Sequence, residues 1–221
     1  MDKKHQLSLT LKIGFIVFAL IGILAAESFR SLYYYTLQSN LWLIFVQAIF
    51  LFDEIRVIRH RESYIKRWHR LLKFVSVIAV TLTMLVFGII LAPVLPLDVT
   101  FSVTSVTLHF IAPILALVDF FVFDNDLKVK KRELIYAYLP ALFYFLFVMT
   151  FIQLGIKFST EQTLVPYFFL NYETLGWFTI TSNGIGVFYW IVILLLLVTG
   201  IAFGLRSLLG VFHKIKPHKA Q

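Results

Sequence analysis

The chain has 221 residues, a formal net charge of +8, 60% hydrophobic residues including 24 Phe, and a mean hydropathy of +0.86. Soluble domains hold about 45–50% apolar residues, so this composition excludes an ordinary soluble domain and points to a single polytopic membrane domain over residues 1–221, with no nucleic-acid partner. The absence of Cys excludes thiolate nucleophiles, disulfides, zinc–thiolate and iron–sulfur sites.

Six apolar segments follow in chain order, over residues 9–29, 33–52, 74–95, 103–123, 134–156 and 183–205. Each reaches roughly the 20 residues that cross about 30 Å of hydrocarbon at ~1.5 Å per residue. The expected fold is therefore all-α, a bundle of six transmembrane helices. The first segment is longer than the ~7–15-residue apolar run of a signal peptide. It lacks a small-x-small cleavage site before Glu27, so it reads as an uncleaved helix.

Charge orients the bundle. Of the 20 basic residues, all but Arg30 and Lys157 fall at Lys3, Lys4 and Lys12, within 56–73, within 128–132, or within 206–219. Basic residues favour the cytoplasmic side, which places both termini there after six crossings. The lack of Cys and the Lys-, Phe- and Ile-rich usage suggest a bacterial plasma membrane. The basic stretch 56–73 reads as a solvated loop, with binding to anionic lipid headgroups as the second reading.

Two features mark the outer side. Residues 92–100 contain Pro93 and Pro96 and form a short turn. Residues 157–182 carry Val165-Pro-Tyr-Phe-Phe-Leu-Asn-Tyr172, too apolar for a free loop, so this run is expected to lie in the interface or fold back over the bundle. In the sixth segment Gly200-Ile-Ala-Phe-Gly204 fits a close-approach pattern and is expected to pack within the bundle.

The chemistry concentrates where the second segment enters the membrane from outside. Within five residues it carries Thr36, Gln38, Ser39 and Asn40, polar groups that cost several kcal/mol in lipid unless partnered. Thr36, Ser39 and Asn40 share one helix face, Gln38 points away, and Gln47 continues the stripe deeper. Of six histidines, His109 alone lies inside a predicted span. It sits about 9 Å below the outer boundary, and Thr36 and Asn40 sit at roughly 5–11 Å. The depths match. A Thr or Ser hydroxyl becomes nucleophilic when a neighbouring base takes its proton, and His suits that task near neutral pH. Thr36 would attack with His109 as base and with Asn40 or Ser39 as oxyanion donor; Ser39 is the alternative nucleophile. The structural alternative is interhelical hydrogen bonding among the same four residues, at ~1 kcal/mol per bond.

Asp119 lies about 15 Å from His109 along the helix, too far to orient it, and is expected to pair with Lys73 or Lys128. Arg30, three residues after Glu27, with Tyr167 and Asn183 are candidate substrate-binding residues at the outer end, and Lys157 is a further candidate for a substrate carboxylate. Thr179-Ile-Thr-Ser-Asn183 echoes Thr36-Leu-Gln-Ser-Asn40, which shared helix-start chemistry explains as well as ancestry does. The sequence holds no phosphate-binding loop, no His-Glu-x-x-His pair and no Gly-x-Ser-x-Gly elbow. No metal or cofactor is expected.

Tyr34-Tyr-Thr-Leu-Gln-Ser-Asn-Leu41, His109-Phe-Ile-Ala-Pro113, Leu117-Val-Asp-Phe-Phe121 and Val165-Pro-Tyr-Phe-Phe-Leu170 together resemble bacterial six-helix membrane proteins. These in turn resemble the androgen-induced and androgen-dependent TFPI-regulating protein family. The resemblance runs through helix order and loop placement over nearly the whole chain. It implies an intramembrane threonine hydrolase that cleaves fatty acid esters of hydroxy fatty acids, with Thr36 as nucleophile and His109 as base. This chain departs in the spacing of His109 to Pro113, three intervening residues where the animal members are expected to have four. Membrane lipids and an acyl-ester substrate are the implied partners. The alternative is a non-enzymatic lipid-binding or transport protein, although a transport path needs polar residues through the full depth.

Overall fold

The computed structural model describes residues 3–26, 28–60, 65–158, 165–182 and 184–215. Six long helical rods dominate it: α1 (Lys3–Leu24), α2 (Tyr35–His60), α3 (Arg67–Val94), α4 (Val103–Phe123), α5 (Lys131–Gln153) and α6 (Val187–Ile215). All except α2 contain a stretch long and apolar enough to cross a membrane. The chain is a helical membrane protein. Helix α2 is equally long, but Thr36, Gln38, Ser39, Asn40 and Gln47 dilute its apolar content.

The helices begin and end differently from the apolar segments. Helix α1 starts at Lys3 and α3 at Arg67, because helical hydrogen bonding continues past the apolar stretch into basic turns. Consequently Arg56 and Arg59 belong to α2, and Arg67, Arg70 and Lys73 belong to α3. The expected solvated basic loop is largely helix, and two of the basic residues are buried: Lys12 and Lys73 are 2% and 0% exposed. Before α6 lies the short hairpin β1 (Ile180–Thr181) and β2 (Gly184–Ile185), whose second strand takes up residues expected to be helical. Gly184 sits there at φ 131°, a conformation that favours glycine.

Helices α1 to α4 pack tightly together, with Phe15, Leu43, Val46, Phe74, Leu108 and Phe120 in their common core. Helices α5 and α6 pack on α3 and meet each other through the Lys131–Tyr138 turns of α5, with few contacts beyond them. A second cluster joins Tyr144, Val148, Phe158, Phe169, Leu170 and Val187, and it is here that the aromatic run of 165–172 folds back onto the bundle. Gly200 and Gly204 have open space where a side chain would be, so they do not mediate helix packing within the protein as the sequence suggested.

Two widened turns position the site. In α3 the α-helix runs to Val86 and gives way to a π turn over Phe87–Leu91; in α4 a π turn spans Thr107–Ile111. Each is followed directly by Ala-Pro, at Ala92-Pro93 and Ala112-Pro113. A proline ring clashes with the carbonyl four residues back and has no N–H to donate, which disfavours a normal α turn at that point. Four residues before Pro113 is His109. Helix α1 reaches this turn through Gly22: a Cβ there would lie 2.2 Å from the Thr107 hydroxyl and 2.6 Å from the Leu108 side chain.

Candidate functional site

Thr36 is the second residue of α2, which begins at Tyr35 directly after Tyr34 and its extended backbone (φ −84°, ψ 143°). Its Oγ1 lies 3.0 Å from Nε2 of His109, and both side chains are buried. The other imidazole nitrogen, Nδ1, lies 3.0 Å from the Ser105 carbonyl oxygen. A carbonyl only accepts, so Nδ1 carries the proton and Nε2 is left bare. The Thr36 hydroxyl therefore donates to Nε2, in the orientation of a nucleophile and its general base. A backbone carbonyl holds the tautomer here, with Phe87 stacked on the imidazole at 3.7 Å between ring centroids and 17° between planes.

The neighbouring polar residues act differently from expectation. Asn40 donates its amide hydrogens to the carbonyls of Thr36, at 2.8 Å, and Leu108, at 3.2 Å. The π turn explains the second bond. The Ala112 N–H bonds to the Thr107 carbonyl, which leaves the Leu108 carbonyl without its usual partner, and Pro113 has no N–H to offer. Asn40 fills that gap, so its N–H groups are committed to backbone and are not free for an oxyanion. Ser39 donates to the Thr36 carbonyl at 3.1 Å and lies 3.0 Å from the Thr83 hydroxyl, tying α2 to α3. His109 makes its hydrogen bond with Thr36. Gln38 turns aside to the Leu32 carbonyl.

Thr36 and His109 open into a cavity of about 430 Å³ between α2, α3, α4, α5 and α6. That volume falls in the range of about 300–1,000 Å³ usual for ligand sites. Its walls are apolar along most of their length, with Leu82, Val86, Leu142, Leu194 and Val198 among them. Polar groups gather at one end, where three tyrosines that sequence reasoning left without a catalytic role, or placed only at the outer rim, surround Thr36. The hydroxyls of Tyr35 and Tyr144 are buried, that of Tyr35 without a hydrogen-bond partner and that of Tyr144 beside the Tyr167 phenol, and the rings of Tyr35 and Tyr144 meet edge to face at 5.1 Å. Tyr167, from the aromatic run, also lines the cavity. Burial pushes its phenol up to about 12, while hydrogen bonding with the Thr36 side chain and with the amides of Thr36 and Tyr35 pulls against that rise. Tyr167 is thus a neutral donor at physiological pH, placed against the N–H end of α2.

No protein-family model, curated protein or solved structure matches this chain.

The remaining candidates separate from this cluster. Arg30 lies on the exposed turn Phe29–Tyr33, and Lys157 is likewise exposed; neither lines the cavity. Asn183 and Glu27 lie outside the described residues. Among the described residues, no three His, Asp or Glu side chains converge as metal ligands would.

A second polar group occupies the other end of the bundle. Asp119, fully buried, receives Lys12 at 2.9 Å, Lys73, and the Gln47 amide at 3.0 Å. Lys73 was one of the two partners expected for Asp119; Lys128, the other, is exposed. Lys73 also pairs with Asp124, and Lys12 reaches Ser8 and, at 3.3 Å, Glu54. These bonds join α1, α2, α3 and α4. On α2, Leu43 and Val46, both buried, separate Thr36 and Asn40 from Gln47, which joins this group.

Proposed function

We propose that the protein is an intramembrane threonine-type hydrolase of fatty-acyl esters, with Thr36 as nucleophile and His109 as general base. The observation that carries this reading is the 3.0 Å Thr36–His109 contact at the polar end of an otherwise apolar cavity. The resemblance to the androgen-induced protein family supports the same two roles and favours long-chain acyl esters.

As His109 Nε2 takes the hydroxyl proton, Thr36 Oγ1 bonds to the ester carbonyl carbon. The tetrahedral oxyanion is met by the phenols of Tyr144 and Tyr167 and by the N–H end of α2, whose partial positive charge favours an anion. On collapse the C–O bond to the alcohol breaks, and the imidazolium returns its proton to the leaving oxygen. Water then attacks the acyl-threonine, with His109 again taking and returning a proton, to release the carboxylic acid and restore Thr36. Asn40 and Ser39 serve as positioning residues that hold the α2 and α4 backbones around the pair.

The proposed topology has six crossings, α2 included, with both termini in the cytoplasm of a bacterial plasma membrane and Thr36 in the outer leaflet half. The partially apolar α2 is accommodated because its polar face turns inward onto α3 and α4. A transport reading of the cavity is less well supported, because the packed side chains of Leu43 and Val46 interrupt the polar stripe of α2.

The test is turnover of long-chain fatty-acyl esters by the purified protein in detergent or proteoliposomes. Free fatty acid should appear with the wild-type protein and fall to background in Thr36→Ala, with the melting temperature within a few degrees of wild type. Undiminished turnover in a folded Thr36→Ala protein contradicts the assignment. Ester binding without turnover in the wild type indicates the lipid-binding alternative.

A further inference from the structure

The two faces through which a ligand could reach Thr36 differ. Towards the outer solvent the cavity is roofed by the returning aromatic run. Phe169 and Leu170 are 3% and 4% exposed, Tyr167 and Phe169 stack at 5.1 Å with planes 6° apart, and Tyr34 meets Tyr167 edge to face at 5.7 Å. Towards the flank of the bundle the wall is open. Leu142 of α5 and Leu195 of α6 both line the cavity, yet they are 50% and 42% exposed on the outer surface. A side chain that faces a cavity and the exterior at once marks a mouth. The inner turns of α5, Lys131–Tyr138, pack against α6 up to the Tyr138–Thr199 hydroxyl contact at 2.6 Å, whereas beyond it, over Leu139–Gln153, α5 has few contacts with α6. Both flanks belong to helices apolar enough to cross a membrane, so this mouth faces hydrocarbon.

We infer that the cavity is filled sideways from the bilayer: the acyl chain of a membrane lipid enters between α5 and α6, past Leu142 and Leu195. The chain lies along the apolar wall of Leu82 and Val198, and its ester group comes to rest at the polar end by Thr36. On α3 the lining runs from Leu82 to Leu91, about 13 Å along the axis. The occupant is thus amphiphilic, with a hydrocarbon tail longer than its polar part. The ester placement rests on the hydrolase reading; the lateral route does not.

The experiment uses the full chain in nanodiscs of phosphatidylcholine carrying a photoactivatable diazirine midway along one acyl chain, with adducts mapped by mass spectrometry after illumination. Adducts are expected on the buried wall residues Leu82 and Val198. They should fall by about an order of magnitude in Leu142→Trp and Leu195→Trp, whose side chains fill the mouth. They should not change in Leu146→Trp or Leu196→Trp, which alter exposed leucines of the same helices outside the cavity. Leu142→Phe gives the same readout in a milder change if a Trp variant proves unstable. Thr36→Ala should retain the wall adducts, so loss of hydrolysis alone leaves the lateral route standing. Adducts confined to surface positions such as Leu146 and Leu196, or wall adducts indifferent to the mouth variants, would overturn the inference.

Discussion

At the scale of single residues, the account turns on which nitrogen of His109 holds the proton. The Ser105 carbonyl fixes that choice, and Thr36 is left facing a free base. Replacing His109 with Ala should lower ester turnover by about 10²–10⁴, the usual worth of a positioned general base. Replacing Tyr144 with Phe removes a phenol buried beside Tyr167 and should lower kcat by up to about 10² while leaving the melting temperature within a few degrees of wild type. A rise in KM with no change in kcat would move Tyr144 from oxyanion donor to cavity wall. The Thr36–His109 pair was legible in the sequence because both residues are polar exceptions at matching depth. The tyrosines were not. In a membrane segment a tyrosine looks like an interfacial anchor, and only the folded chain shows Tyr167 reaching Thr36 with Tyr35 and Tyr144 in the same cavity. Asn40 was misassigned for a related reason: its role depends on a carbonyl orphaned in another helix.

At the scale of elements, the paired Ala-Pro sequences of α3 and α4 shape the site. By favouring π turns at a common level, they present Phe87 and His109 to each other and leave the carbonyl that Asn40 caps. The register of α1 is set against the same region by Gly22. Gly22→Ala should destabilise the protein by about 1–3 kcal/mol through overpacking against Thr107 and Leu108. Its effect should appear as a lower melting temperature together with reduced turnover, since the displaced turn carries His109. A Gly22→Ala protein of unchanged stability and activity would show that α1 does not buttress the site. Six apolar segments and their order could be read from hydropathy alone. The widened turns could not, because they result from local backbone sterics that an average over 20 residues conceals.

At the scale of the whole molecule, the bundle divides into a polar-tipped apolar cavity and an ion-paired base. The base holds four helices through Asp119, Lys12 and Lys73, all buried. Removing one partner of such a network strands the others, so Asp119→Asn should cost about 3–5 kcal/mol of stability, read as a large drop in melting temperature. The pairing of Lys73 with Asp119 was legible in the sequence, whereas Lys12, counted there only as an orientation signal, was not, because its partners Asp119 and Glu54 lie on other helices. Orientation itself is testable because the chain contains no Cys. In intact cells a membrane-impermeant maleimide should label Glu173→Cys and not Lys128→Cys, both exposed positions. The opposite pattern would invert the topology and place Thr36 in the inner half of the bilayer. The central claim concerns the reactivity of Thr36, and it is tested most directly by mapping the adduct of a fluorophosphonate probe on the purified protein. The account predicts phosphonylation at the Thr36 hydroxyl, lost in a folded His109→Ala variant; an unmodified Thr36, or equal modification with and without His109, would contradict it.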